Sequence, residues 1–341
     1  MKKFIFGMMS AVVLFGMASC SDEDLAKNSA AKAGELIHFS IDRPSTRTVY
    51  ETSDPLQIDW IKGDQIKIFC DQAEGEKSAV YSITPTSDKE HQNKLDGEGA
   101  QSKYGLVDYN EEGLRWNGAL QNNPGLTHDF FAVYPADAAT CDADGIAEFT
   151  VNTSQVCEVS TTLNDDGKTG DASTAYVAAP HMENAYMVAA DLGVSASTDK
   201  VNLVFAPVMT TLNITVSANS NGTSTDSVNV TGVTVTVPGV PVRVEDGKYK
   251  FQYFIDQNSM ETAGNAGEIV ASGMTEQTIN VFAGVRFTRH NNTDGSDEVF
   301  NSIPLAKGQS VTFTVFLPPV DSLNFEDERA KIRINASGSA N

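Results

Sequence analysis

The chain has 341 residues, 24 of them basic and 45 acidic, for a formal net charge of −21 at pH 7. A surface this acidic repels phosphate backbones, which excludes nucleic acid as a partner. Four cysteines without C-x-x-C spacing, five scattered histidines, and the absence of H-E-x-x-H, Walker-type and G-x-S-x-G motifs leave no zinc site, cofactor cradle or hydrolase nucleophile to build on, so no enzyme, cofactor or metal is expected.

At the start, Lys2 and Lys3 precede an apolar run over residues 4–15, and Met17-Ala18-Ser19-Cys20 sets small residues before a cysteine. This pattern predicts a lipoprotein signal peptide over residues 1–19, cleaved before Cys20, whose sulfur takes the lipid. The run is too short, and too broken by Gly7, Ser10 and Gly16, for a spanning helix, which needs about 20 apolar residues. An anchor with two or more acyl chains holds stably where one is marginal. Loss of residues 1–19 removes only Lys2 and Lys3 among the charges, leaving 22 basic against 45 acidic residues, or −23. Residues 20–34, small and polar, read as a tether.

Beyond the tether, period-2 alternation dominates, the mark of half-buried strands. Ile37, Phe39 and Ile41 share one face, followed by Ile58 with Trp60, Ile66 with Ile68, Tyr81 with Ile83, Phe131 with Val133, and Phe149 with Val151. Turns such as Lys62-Gly63-Asp64 and Asp144-Gly145 separate them. The polar stretch 195–200 precedes a second series through Leu203, Ile214, Val235, Phe251, Ile279 and Phe313 to Ile332 and Ile334. Two domains are therefore expected, 35–194 and 195–341, each an antiparallel β-sandwich, because strands at short spacing without intervening helices do not build a parallel sheet. An outer-membrane barrel fits less well, since aromatic girdles are not evident.

Other features are weaker. Cys141 and Cys157 could form a disulfide, or Cys70, Cys141 and Cys157 could be buried thiols. The acidic turns at Asp142-Ala143-Asp144-Gly145 and Asp294-Gly295-Ser296-Asp297-Glu298 lack the twelve-residue EF-hand spacing for calcium. His38 is expected on the exposed face of the first strand. Trp116, Phe251, Tyr253 and Phe254 are candidates for an aromatic binding surface.

Four pieces in order resemble the fimbrillin family, the type V pilin-like lipoproteins of Bacteroidales. They are the Cys20 lipobox; Ile37-His38-Phe39-Ser40-Ile41 followed by Ser45-Thr46-Arg47-Thr48; Trp60-Ile61-Lys62-Gly63-Asp64-Gln65-Ile66; and His128-Asp129-Phe130-Phe131-Ala132-Val133-Tyr134-Pro135. Ser21-Asp22-Glu23-Asp24 likewise resembles the surface-export signal of such lipoproteins, which implies the outer face of the cell outer membrane. The resemblance implies an all-β fold of two tandem transthyretin-like antiparallel sandwiches and a structural subunit of a surface fimbria, supporting adhesion. It also implies cleavage by a maturation protease between Arg47 and Thr48, loss of the first strand with its plugs Ile37, Phe39 and Ile41, and filling of the groove by a strand of another pilin subunit. This is β-augmentation, in which main-chain hydrogen bonds give affinity and side-chain pockets give specificity. Ile332, Ile334 and Ala336 form the favoured donor strand, with Val311, Phe313 and Val315 the neighbouring candidate; both could equally complete the second sandwich. Expected partners are other subunits, the protease, the outer membrane through the lipid, and a host or bacterial receptor. The alternative is a non-polymerising outer-membrane surface lipoprotein that binds glycans or host proteins through its loops.

Overall fold

In the computed structural model the described residues are 32–42, 59–97, 99–107, 112–123, 125–162, 175–218, 227–257, 267–270, 275–282, 287–290, 297–300, 302–320 and 330–339. Cys20, Arg47, Thr48 and Ile58 lie outside them. Regular structure within them is strand, apart from two short 3-10 turns at Gly118–Gln121 and Met182–Asn184 and single helical residues at Lys32 and Gln257. The all-β expectation holds.

The first half contributes β1 (Phe39–Asp42), β2 (Trp60–Ile61), β3 (Gln65–Phe69), β4 (Ser78–Thr86), β5 (Gln101–Ser102), β6 (Tyr104–Val107) and β7 (Thr127–Tyr134). Its chain then passes through β8 (Ala139–Cys141), β9 (Ile146–Val151), β10 (Glu158–Thr162) and β11 (Ala175–Ala179) before β12 (Met187–Ser195), β13 (Val201–Val204) and β14 (Ala206–Pro207). The main sheet runs β13-β1-β6-β4-β3-β7-β12-β14. Its two ends belong to one stretch of chain interrupted only at Phe205, so the sheet closes on itself. The other corner is β4, whose first half pairs β3 and whose second half pairs β6. Alternation explains the elements: in β3, Ile66 and Ile68 are buried while Gln65 is exposed. At the preceding turn, Gly63 takes a φ of 93°, which a Cβ would strain, and Asp64 Oδ2 accepts the Ile61 N–H at 2.9 Å.

The second half adds β15 (Thr210–Ser217), β16 (Ser227–Val240), β17 (Arg243–Glu245), β18 (Lys248–Ile255), β19 (Gly267–Val270), β20 (Thr275–Phe282), β21 (Phe287–His290), β22 (Asp297–Phe300), β23 (Ile303–Leu305), β24 (Ser310–Leu317) and β25 (Lys331–Ser339). The long β16 pairs β20, β23 and β25; β18 pairs β9, β17 and β19; β15 pairs β24. These sheets enclose a second apolar core that includes Val233, Val235, Phe251, Ile279 and Phe313. Among the described strand pairs, all are antiparallel except β1 with β13.

The boundary expected at residue 195 is crossed in both directions. β9 pairs β18 with Phe149 opposite Phe251, whereas β13 and β14, after residue 195, close the first core. The reason lies in β7 and β12, which are buried on both faces. Phe130, Ala132, Met187 and Ala189 point into the first core; Phe131, Val133, Val188 and Ala190 point into the second. The polar stretch at 195–200 is thus a turn within the closed sheet, where Thr198 N–H bonds Ser195 O at 2.9 Å. At the end of the expected tether, Lys32 Nζ reaches Thr198 O at 2.9 Å and Gly34 N–H bonds Trp116 O at 2.8 Å.

Candidate functional site: the first-strand groove and the terminal strand

The segment 34–42 is held along both edges. On one side Gly34 and Ile37 donate to the carbonyls of Trp116 and Leu114 at 2.8 and 2.9 Å, and β1 continues against β6. On the other, β13 runs parallel, with Phe39 opposite Val201 and Ile41 opposite Leu203. The three expected plugs are brought together as their alternation requires: Ile37, Phe39 and Ile41 are each at most 1% exposed. The Phe39 ring lies 5.4 Å from Phe130, edge to face, and 5.6 Å from Tyr81. Ile41 lies flat over Gly105, where an added Cβ would sit 3.1 Å from Ile41 Cγ1 and 2.9 Å from Ile83 Cγ2. Burial of three such side chains is worth about 5–9 kcal/mol to whichever strand fills the groove.

The other face of β1 is polar and connected. Ser40 Oγ donates to Asn202 Oδ1 at 2.9 Å, Asn202 Nδ2 donates to Asp42 Oδ2 at 3.2 Å, and Asp42 Oδ1 lies 3.1 Å from His91 Nε2. His91 is buried, with a left-handed φ of 56°. Its loop is shaped by Asp88, which accepts from the N–H groups of Gln92 and Asn93, both at 3.1 Å. Burial pushes the Asp42 carboxyl up, opposed by the bond from Asn202, and pushes His91 down, opposed by the Asp42 charge. Sequence reading missed Asn202 and His91. Their contacts with β1 span 160 residues in the first case, and no local pattern announces them.

The terminal strand is built differently. β25 pairs one edge of β16 from Ser227–Ser339 to Thr236–Lys331. Ile332 and Ile334 stand opposite the buried Val235 and Val233, hence on the core side of the sheet, yet they are 39% and 42% exposed. Of the neighbouring candidate, Val311, Phe313 and Val315 are core residues at no more than 1% exposure. That segment is a structural strand, so it is set aside as a donor.

Cys70, Cys141 and Cys157 are free thiols rather than a disulfide pair, and burial pushes them to about 11, 12 and 11, so they stay protonated. His38 is exposed, as expected. Trp116, Phe251 and Tyr253 are buried and cannot serve a binding surface, while Phe254 is 37% exposed. Among the described residues no group of histidine, cysteine and acidic side chains is placed to hold a metal, and no helix is long and apolar enough to cross a membrane.

A family model described as fimbrillin-like matches residues 46–339. No curated protein matches the sequence. Among solved structures, a candidate cell adhesion protein from Bacteroides uniformis aligns over 90% of this chain and 98% of its own, at 12% identity and a TM-score of 0.39. A second such protein, from Bacteroides ovatus, covers 90% and 86% at 12% identity and 0.39. The fimbrial anchor protein Mfa2 from Porphyromonas gingivalis covers 89% and 78% at 10% identity and 0.22.

Proposed function

The chain belongs to the fimbrillin-like family, and from that premise we propose that it is a structural subunit of a surface fimbria, exported as a precursor lipidated on Cys20 and polymerised by strand exchange. Membership carries the coarse role, fimbrial or adhesin-like. In the finer reading, cleavage between Arg47 and Thr48 frees β1, the groove opens along β13 and β6, and the terminal strand of another subunit enters. In this reading each core belongs to one sandwich module, with β9 lent to the second and β13 to the first. The lipid serves export, and a neighbour's strand replaces it as the means of attachment. Partners are other subunits, the protease, the outer membrane before cleavage, and a host or bacterial receptor.

The observation that carries this reading is the contrast between the strands. β1 is sealed in a core by three apolar side chains, while β25 lies on a sheet edge with a matching apolar row left uncovered. An edge strand of this kind is a template for pairing with another chain. The test is the N-terminus of fibre material sheared from cells, together with a chain lacking residues 331–341. Fibres are expected to begin at Thr48, and the truncated chain to give no detergent-resistant ladder. Material that all retains acylated Cys20, or a truncated chain that still polymerises, would sink the proposal; a monomer with a saturable ligand would favour the binding lipoprotein instead.

A further inference from the structure

The polar face of β1 poses a question that its apolar face does not: which strand can replace Ser40 and Asp42 as well as Ile37, Phe39 and Ile41. Ser40 is 2% exposed, and its hydroxyl and the Asp42 carboxylate are both bonded to the single amide of Asn202, which acts as acceptor to one and donor to the other. Lys103 and Lys200 lie close enough to act on Asp42, and Asp88 and Glu90 act on His91. Once the Asp42 carboxylate leaves, His91 and the two lysines remain. An incoming cation at the buried Ser40 position would give up its hydration for the amide of Asn202, which is unfavourable, and at the more open Asp42 position it would face His91 and the two lysines, with Asp88 and Glu90 behind His91. A small uncharged group able to both donate and accept would satisfy Asn202.

Resting on the strand-exchange reading above, we infer that Asn202, backed by His91, sets the direction and register of the incoming strand, and that it admits the terminal strand of a second copy with Asn335 and Ser337 in the places of Ser40 and Asp42. In that register Ile332, Ile334 and Ala336 fall in the slots of Ile37, Phe39 and Ile41. The Asn335 amide can donate to Asn202 Oδ1, and Ser337 Oγ can accept from Asn202 Nδ2. Two competitors share the apolar alternation. Entry in the reverse direction puts Arg333 at Ser40 and Lys331 at Asp42. A slip of two residues in the parallel direction puts Ile334 in the Ile41 slot, a better fill than Ala336, but drives Arg333 into the buried Ser40 position. Side-chain alternation has a period of two, so apolar matching alone leaves all three open. The polar ladder separates them.

Cross-linking on cells expressing the full chain reads the register directly. Val204 stands opposite Asp42 in β13, so Val204→Cys is combined in turn with Ser337→Cys, Asn335→Cys and Lys331→Cys. The expected result is intersubunit oxidation with Ser337→Cys at about ten times the yield of either other pair, corresponding to a preference of about 1.4 kcal/mol. Adding Asn202→Ala should spread the yield among the three. A ladder whose dominant cross-link is through Asn335→Cys or Lys331→Cys, or an unchanged pattern in Asn202→Ala, overturns the inference while leaving strand exchange standing. Absence of both ladder and cross-links in all three pairs overturns strand exchange itself, and this inference with it.

Discussion

His128 shows what burial does to a single titratable side chain here. Its ring is fully buried, 4.8 Å from Trp116 and 6.2 Å from Phe130, with Nε2 accepting the Asn117 N–H at 3.3 Å. Burial holds its pKa below the ordinary 6.5, against the pull of Asp129. A depressed histidine takes its proton less readily folded than unfolded, so its contribution is complete above about pH 6.5 and is lost as pH falls through the depressed value. His91 acts in the same direction; Asp42 and Asp64, both raised by burial, act oppositely in a lower window near the carboxylate range. Urea stability should therefore fall between pH 7 and 5.5, by at most about 1.4 kcal/mol per pH unit for each histidine. His128→Gln, which keeps an acceptor for Asn117, should flatten that slope, and identical slopes in the two proteins would exonerate His128. Gln155 is a buried polar residue that does not titrate but bonds backbone on both sides of its amide. Its amide, 1% exposed, donates to Phe316 O at 2.7 Å and accepts Phe316 N–H at 2.8 Å, acting as a one-residue strand at the edge of β24. Gln155→Leu leaves two buried backbone groups unpaired and should lower stability by about 2–5 kcal/mol; a loss under about 1 kcal/mol in urea titration would contradict that role.

At the scale of elements, β25 and β24 are both alternating apolar strands in the sequence, and only their surroundings differ. Phe313 in β24 is 0% exposed, so Phe313→Ala should cost the monomer about 3–5 kcal/mol. Ile332 and Ile334 keep about two-fifths of their surface in water, and the double change Ile332→Thr, Ile334→Thr should alter monomer stability by less than about 1 kcal/mol while abolishing the assembled ladder. A monomer that unfolds on the double change would mean that β25 is an ordinary structural strand. The same contrast marks the limit of what alternation can reveal. Period two located β1, β3, β9, β18 and β24 and their inward residues, because each has one wet or polar face. It does not show that β7 and β12, apolar on both faces, serve two cores at once. Nor could it find Asn202 or His91, whose partners are assembled by the closure of the sheet rather than by neighbours in sequence.

For the whole molecule, charge bears on the proposed assembly. The chain starting at Thr48 would carry 18 basic and 40 acidic residues, for a net −22, hardly changed from the −23 that the expected signal removal would leave. Cleavage therefore does not relieve repulsion between like-charged subunits. In the proposed strand exchange the attraction comes from the apolar row entering the groove and from main-chain pairing, both insensitive to salt at moderate concentration, while the repulsion is long-ranged and screened. Between 0.01 M and 0.15 M ionic strength the Debye length falls from about 30 Å to about 8 Å, so encounter between subunits should become faster. Polymerisation of cleaved protein, followed by light scattering or by the growth of the ladder, should accelerate as salt is raised over this range, with the final register unaltered. Slower assembly at higher salt would mean instead that complementary charges guide the strand into its groove, and that the polar contact is made before the apolar one.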